Sequence, residues 1–136
     1  MKRALTGFLL AAMLTAAPAF ADEMWKTGMG KVEWEKDYNG GAVLKLDMGK
    51  GSFIRYFIDG LTPEGFRGHH EGYWIRSGGE PICSAELVGP DGTRSKNWGR
   101  ISLTFVKDKF PSDWTALTGL CVGEPLDLIT GIANAG

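Results

Sequence analysis

The sequence predicts an all-β fold, a small antiparallel barrel or sandwich held by one disulfide, and three observations predict it. Apolar and polar residues alternate with period two in short runs from Lys31 onwards, the pattern of strands with one face turned to a core. Glycine is abundant and falls between those runs, where turns need backbone angles that other residues avoid. Seven or eight such runs recur at intervals of roughly 10–12 residues with no long helical period between them, the spacing of a sandwich or a closed barrel.

The chain opens on a different signature. Lys2 and Arg3 precede an apolar stretch from Leu5 to Ala17, and Ala19-Phe20-Ala21 is a small-x-small cleavage pattern followed by Asp22 and Glu23. That three-part order is a secretory signal peptide. The apolar run is shorter than the about 20 residues that a membrane-spanning helix needs. Cleavage after Ala21 leaves residues 22–136 as one domain, periplasmic or secreted, with no membrane anchor. The formal net charge of the whole chain is −1, and losing Lys2 and Arg3 makes it more acidic. Scattered charge with no basic run gives no footprint for nucleic acid or an anionic membrane.

Lys31 to Tyr38 places Val32, Trp34 and Lys36 on one face and Glu33, Glu35 and Asp37 on the other. Asn39-Gly40-Gly41 then suits a tight hairpin turn. Ala42 to Met48 returns with Leu44, Leu46 and Met48 aligned, and Gly49-Lys50-Gly51 ends it. Ser52 to Asp59 is apolar on both faces: Ile54, Tyr56 and Ile58 on one, Phe53 and Phe57 with Arg55 on the other. That predicts a strand buried on two sides, or one whose second face lines a pocket. Gly60 to His70 reads as a long loop, functional or disordered by its length.

The stretch from Glu71 to Phe105 carries the rest of the sheet. Tyr73 and Ile75 face one way, Trp74 and Arg76 the other. A turn through Gly78-Gly79 leads to a strand from Ile82 to Val88 with Cys83, Ala85 and Leu87 together. Pro90-Asp91-Gly92 is a turn in which proline sets φ and glycine takes the left-handed position. Trp98 to Val106 aligns Ile101, Leu103 and Phe105. Beyond Phe110-Pro111 a helical turn capped by Ser112-Asp113 competes with a strand through Leu117 to Val122. Leu126, Ile129 and Ile132 stand at helical spacing and suggest a short tail helix, with a frayed end from Ile132 to Gly136. Gly72, Trp74 and Cys83, with the turn between them, resemble the hairpins of small exported lipocalin-like barrels in general shape. The likeness covers only that stretch and implies no residue role.

Both cysteines, Cys83 and Cys121, follow the cleavage point. In an oxidising compartment they pair, closing a loop of about 38 residues worth roughly 4 kcal/mol in the chain-entropy model. A C-x-x-C redox spacing is absent.

Candidate ligand-binding residues are Phe57, Trp74 and Trp98, with Arg55 and Arg76 placed mid-strand to meet a ligand carboxylate. Core filling is the competing role for the tryptophans, and a solvated sheet face for the arginines. His69 and His70, next to Glu71, are weak metal candidates, since adjacent residues rarely reach one ion together. Met24, Met29 and Met48 show no repeated thioether motif and read as packing. No nucleophile elbow, zinc-protease helix, P-loop or dinucleotide fingerprint occurs. The leading expectation is therefore an exported, non-catalytic module without a cofactor that binds a small apolar or sugar-like ligand. A protein-interaction module is the alternative, an inhibitor of an extracellular enzyme or a virulence-associated secreted factor, acting through the Gly60–His70 loop. A His-dependent hydrolase or metal-binding protein is the third.

Overall fold

The computed structural model describes residues 23–134; the expected signal peptide, residues 1–21, lies outside them. Ten strands follow one another: β1 (Met24–Thr27), β2 (Gly30–Tyr38), β3 (Gly41–Gly49), β4 (Ser52–Asp59), β5 (His69–Arg76), β6 (Leu87–Val88), β7 (Arg94–Ser95), β8 (Trp98–Phe105), β9 (Trp114–Thr118) and β10 (Asp127–Ala133). Eight of them close into an antiparallel barrel in the order β1-β10-β9-β8-β5-β4-β3-β2, with β2 returning to β1. The path is an up-and-down meander with one excursion. β5 pairs directly with β8, and the residues between them leave the barrel to form the β6–β7 hairpin.

Period-two alternation gives the barrel its filling. Val32, Trp34, Ala42, Leu44, Leu46, Tyr56, Ile58, Trp74, Ile101, Leu103 and Phe105 all turn inward and are buried. Each large side chain taken fully out of water contributes about 1.5–3 kcal/mol. Trp25 meets Trp114 edge-on and Phe105 at a tilt, each at 6.2 Å between ring centroids. Gly131 stands inward on β10 beneath the Trp114 indole, and a methyl group there would overlap the ring.

A second cluster lies on the outside. Val43, Phe57 and Ile75 project outward from β3, β4 and β5 and are buried with Cys83 and Trp98, while Leu87 and Cys121 pack against them. The β6–β7 excursion covers them: Gly89 sits against the Phe57 ring so closely that a side chain would collide with it. The two apolar faces of Ser52–Asp59 are thus one barrel lining and one floor for the hairpin. The disulfide Cys83–Cys121 joins the excursion to the β9–β10 loop, with 5.6 Å between the Cα atoms. Cys121 holds a left-handed φ of 54°, and its N–H donates to the Trp98 carbonyl at 2.8 Å.

Five local expectations are corrected. The tail is a strand: Ile129, Gly131 and Ala133 turn inward, and Asp127 to Gly131 pair with β9. The three-residue spacing of Leu126, Ile129 and Ile132 is helical, and a strand puts Ile129 on the opposite face from Ile132; the need of β1 and β9 for a common neighbour overrides the spacing. Ile132 and Ala133 pair with β1, so the end is held up to there rather than frayed. Ile82 to Val88 is paired as a strand only at Leu87–Val88, because the chain bends over Cys83–Ala85, where the disulfide is anchored. Lys36 faces outward, because the register shifts between Trp34 and Lys36; it pairs there with Asp91 at 3.0 Å. His69 and His70 begin β5 opposite Thr104 and Leu103, so the connection is shorter than Gly60–His70. It is also tethered, with Leu61 and Arg67 buried.

The bridge closes a 38-residue separation. Replacing both cysteines with serine should therefore lower unfolding stability by about 4 kcal/mol, read from urea midpoints with the barrel's circular dichroism retained. An unchanged midpoint would contradict the constraint.

Candidate functional site

The barrel is filled unevenly along its axis. The end that carries the β2–β3 turn and the β4–β5 loop is packed with Trp25, Trp34, Leu61, Phe105 and Trp114. Arg67 plugs it: its guanidinium lies over the Trp34 and Phe105 rings at 5.2 and 5.8 Å and donates to Glu23 at 2.8 Å. Burial pushes the Glu23 carboxyl above the ordinary glutamate range, against the lowering pull of Arg67. Its second oxygen has no hydrogen-bond partner among the described residues.

The opposite end is hollow. Inward positions of β8 and β9 there are Gly99 and Thr118, which fill little space. A cavity of about 550 Å³ results, walled by Ile54, Tyr56 and Trp74 on one side and by Thr118 and Ile129 on the other. Gly28 and Met29, Asp127, Leu128 and Thr130 form its mouth. Tyr56 and Trp74 are direct cross-strand partners in β4 and β5, so the two rings stand side by side. The Trp74 Nε1–H donates to the Gly119 carbonyl at 2.9 Å. That seat requires Gly99, where a Cβ would overlap both the indole and the Gly119 oxygen. The Tyr56 hydroxyl has no such tie: no side-chain hydrogen bond acts on it among the described residues, and burial alone pushes its pKa far above the ordinary tyrosine value. It stays neutral and offers both a proton and lone pairs to whatever enters.

Of the residues singled out from sequence, Trp74 alone lines this cavity. Phe57 and Trp98 point outward into the second cluster, and the Trp98 Nε1–H is used on the Ala85 carbonyl at 2.8 Å. Arg55 is also outward, donating to Glu35 at 2.9 Å and stacking on Phe53 at 4.4 Å. Arg76 is partly buried beside Gly79, its Nε without a partner among the described residues. Adjacent residues in a strand face opposite sides, so Phe57 and Tyr56 were never candidates for the same site. Tyr56, Ile54 and Ile129 are the residues that sequence reasoning missed. The available signal was the shared parity of Ile54 and Tyr56, read with Trp74 as a cross-strand neighbour.

The histidines do other work. His69 faces outward, with Nδ1 at 2.8 Å from the Thr104 hydroxyl. Its Nε2 lies 3.4 Å from Ser102 Oγ and 3.9 Å from a Glu71 oxygen. Hydroxyl and carboxylate meet the same nitrogen, so no carboxylate orients the ring from behind as a nucleophile–base pair requires. His70 sets its ring nitrogens against the carbonyls of Asp59, Phe66 and Arg67 and ties the β4–β5 loop down. Among the described residues no group of three His, Cys, Asp or Glu side chains could hold a metal ion.

Two outcomes follow. Gly99→Ala should unseat Trp74 and destabilise the fold by about 1–3 kcal/mol in urea unfolding; a neutral substitution would contradict the packing described. The raised Glu23 pKa means that the folded chain holds this proton more tightly than the unfolded chain. Stability attributable to Glu23 is then full below the ordinary glutamate range and falls as pH rises through the folded pKa. Glu23→Gln should flatten that slope in urea midpoints taken between about pH 4 and 8; a parallel slope would reject the assignment. Comparisons with known protein families, curated proteins and solved structures find no match for this chain.

Proposed function

We propose that the protein is a non-catalytic binding module of an oxidising, exported compartment, and that it takes a small apolar ligand or ligand group into the open end of its barrel. The hollow end carries this reading: a cavity of about 550 Å³, inside the roughly 300–1,000 Å³ span of ligand sites, which are typically apolar with few polar groups. Tyr56 and Trp74 supply flat apolar area, and the free Tyr56 hydroxyl supplies one oriented hydrogen bond. A sugar-like ligand is less well matched, because its many hydroxyls need partners and the Trp74 N–H is already engaged with Gly119. The disulfide and the leader-like first residues support export.

N-phenyl-1-naphthylamine, a neutral apolar fluorophore, should brighten on binding the wild-type protein. Ile129→Trp, which fills the cavity from β10, should weaken that binding at least tenfold while circular dichroism stays unchanged. Thr118→Phe fills it from β9 and serves if the first variant misfolds. Tyr56→Phe should cost ligands that carry a hydrogen-bonding group about tenfold, close to the net worth of one buried hydrogen bond. Fluorophore binding that ignores both filled variants would overturn the proposal.

A further inference from the structure

The cavity opens sideways as well as along the barrel axis, and the reason is the length of β1. β10 is paired with β9 from Asp127 to Gly131. On its other edge it meets β1 only through Trp25↔Ala133 and Lys26↔Ile132. β1 ends at Thr27, and the chain turns through Gly28 and Met29 into β2. Among the described residues, the first half of β10 therefore has no strand on that side.

The register says which backbone groups are left free. The Asn134 N–H donates to the Met24 carbonyl at 2.9 Å. In an antiparallel ladder the groups that point to one side recur at every second residue. Ile132, Thr130 and Leu128 thus turn their N–H and C=O groups toward the β1 side. Ile132 is opposite Lys26, while Thr130 and Leu128 face no strand among the described residues. Both border the mouth of the cavity.

We infer that the apolar group held in the cavity is a side chain of an extended peptide that adds a strand to the free edge of β10; this rests on the cavity reading above. An unpaired edge is a template for another extended backbone. Side chains of a strand laid there alternate between two environments. One set enters the barrel against Ile129, Tyr56 and Trp74. The other set lies outside, beside Leu128 and Leu117, which pair across β10 and β9 and are both exposed. The matching partner is a short segment with a large apolar residue flanked by β-branched apolar ones. A second copy of this chain fits less well. Its own β10 sends Ile129, Gly131 and Ala133 into its own barrel and has no side chain to place in this one.

The probe is acetyl-Lys-Thr-Val-Phe-Val-Thr-Lys-amide, titrated calorimetrically into the full chain, with a version N-methylated at alternate amides as control. The unmodified peptide should bind and displace N-phenyl-1-naphthylamine, and N-methylation should weaken it by about tenfold. Thr130→Pro removes an edge N–H at a position where an edge strand accepts proline. It should weaken the peptide similarly, with circular dichroism unchanged. Equal binding of the N-methylated peptide overturns strand addition, and it does so without altering the protein. Fluorophore binding with no peptide binding overturns this inference and leaves the cavity reading standing; failure of both removes both. A wild-type dimer that Thr130→Pro turns into a monomer would assign the edge to a second copy instead.

Discussion

The whole molecule depends on a seam two residue pairs long. A sheet of eight strands is closed only if its first and last strands meet, and here β1 meets β10 through Trp25↔Ala133 and Lys26↔Ile132. The seam lies at the plugged end. There closure brings Trp25 against Phe105 and Trp114, and the apolar area removed from water supports the short run of hydrogen bonds. At the other end the seam stops. The barrel is left hollow where β8 and β9 turn only Gly99 and Thr118 inward, and among the described residues a length of β10 edge is left bare. Stability and openness are thus set by the same feature, the early end of β1.

The second organising fact is that β3, β4 and β5 each bury an apolar residue on the outer face as well: Val43, Phe57 and Ile75. A barrel strand ordinarily shows one face to water. Here the outer face of three neighbouring strands is covered by the β6–β7 excursion, which is locked to the β9–β10 loop by the disulfide. The excursion is too small to hold its shape by its own pairing, two residues on each strand. Its burial of Phe57 and its covalent tie do that instead. The bridge also ends close to the hollow mouth, since Gly119 accepts the Trp74 indole two residues before Cys121.

Much of this was legible in the sequence because it is local. Ser52–Asp59 is found at its expected bounds, and the Leu44–Leu46 face turns inward as alternation requires. The cysteine pair follows from composition and from the oxidising compartment that the first residues lead one to expect. The remainder depends on partners far along the chain. β1 is only four residues, too short for a period to declare itself. Leu126, Ile129 and Ile132 stand at helical spacing, and only the two neighbours of β10 make it a strand. The bulge at Glu35 reverses Lys36 without any glycine to mark it. The cavity is the least legible feature, because it arises where small inward residues of β8 and β9 face Tyr56 and Trp74 across the barrel. The outward aromatic Phe57 imitated a site, since a two-faced strand has the same pattern whether its second face meets a ligand or a hairpin.

Amide hydrogen exchange along β10, followed residue by residue by NMR, tests the open seam most directly. Ile132 should be protected by its pairing with β1, and Ile129 and Gly131 by theirs with β9. Leu128 and Thr130 should exchange orders of magnitude faster in the same strand, since their amides face no partner. Equal protection at Leu128, Thr130 and Ile132 would mean that the barrel is closed along its full length, and the bare edge and side opening would not exist.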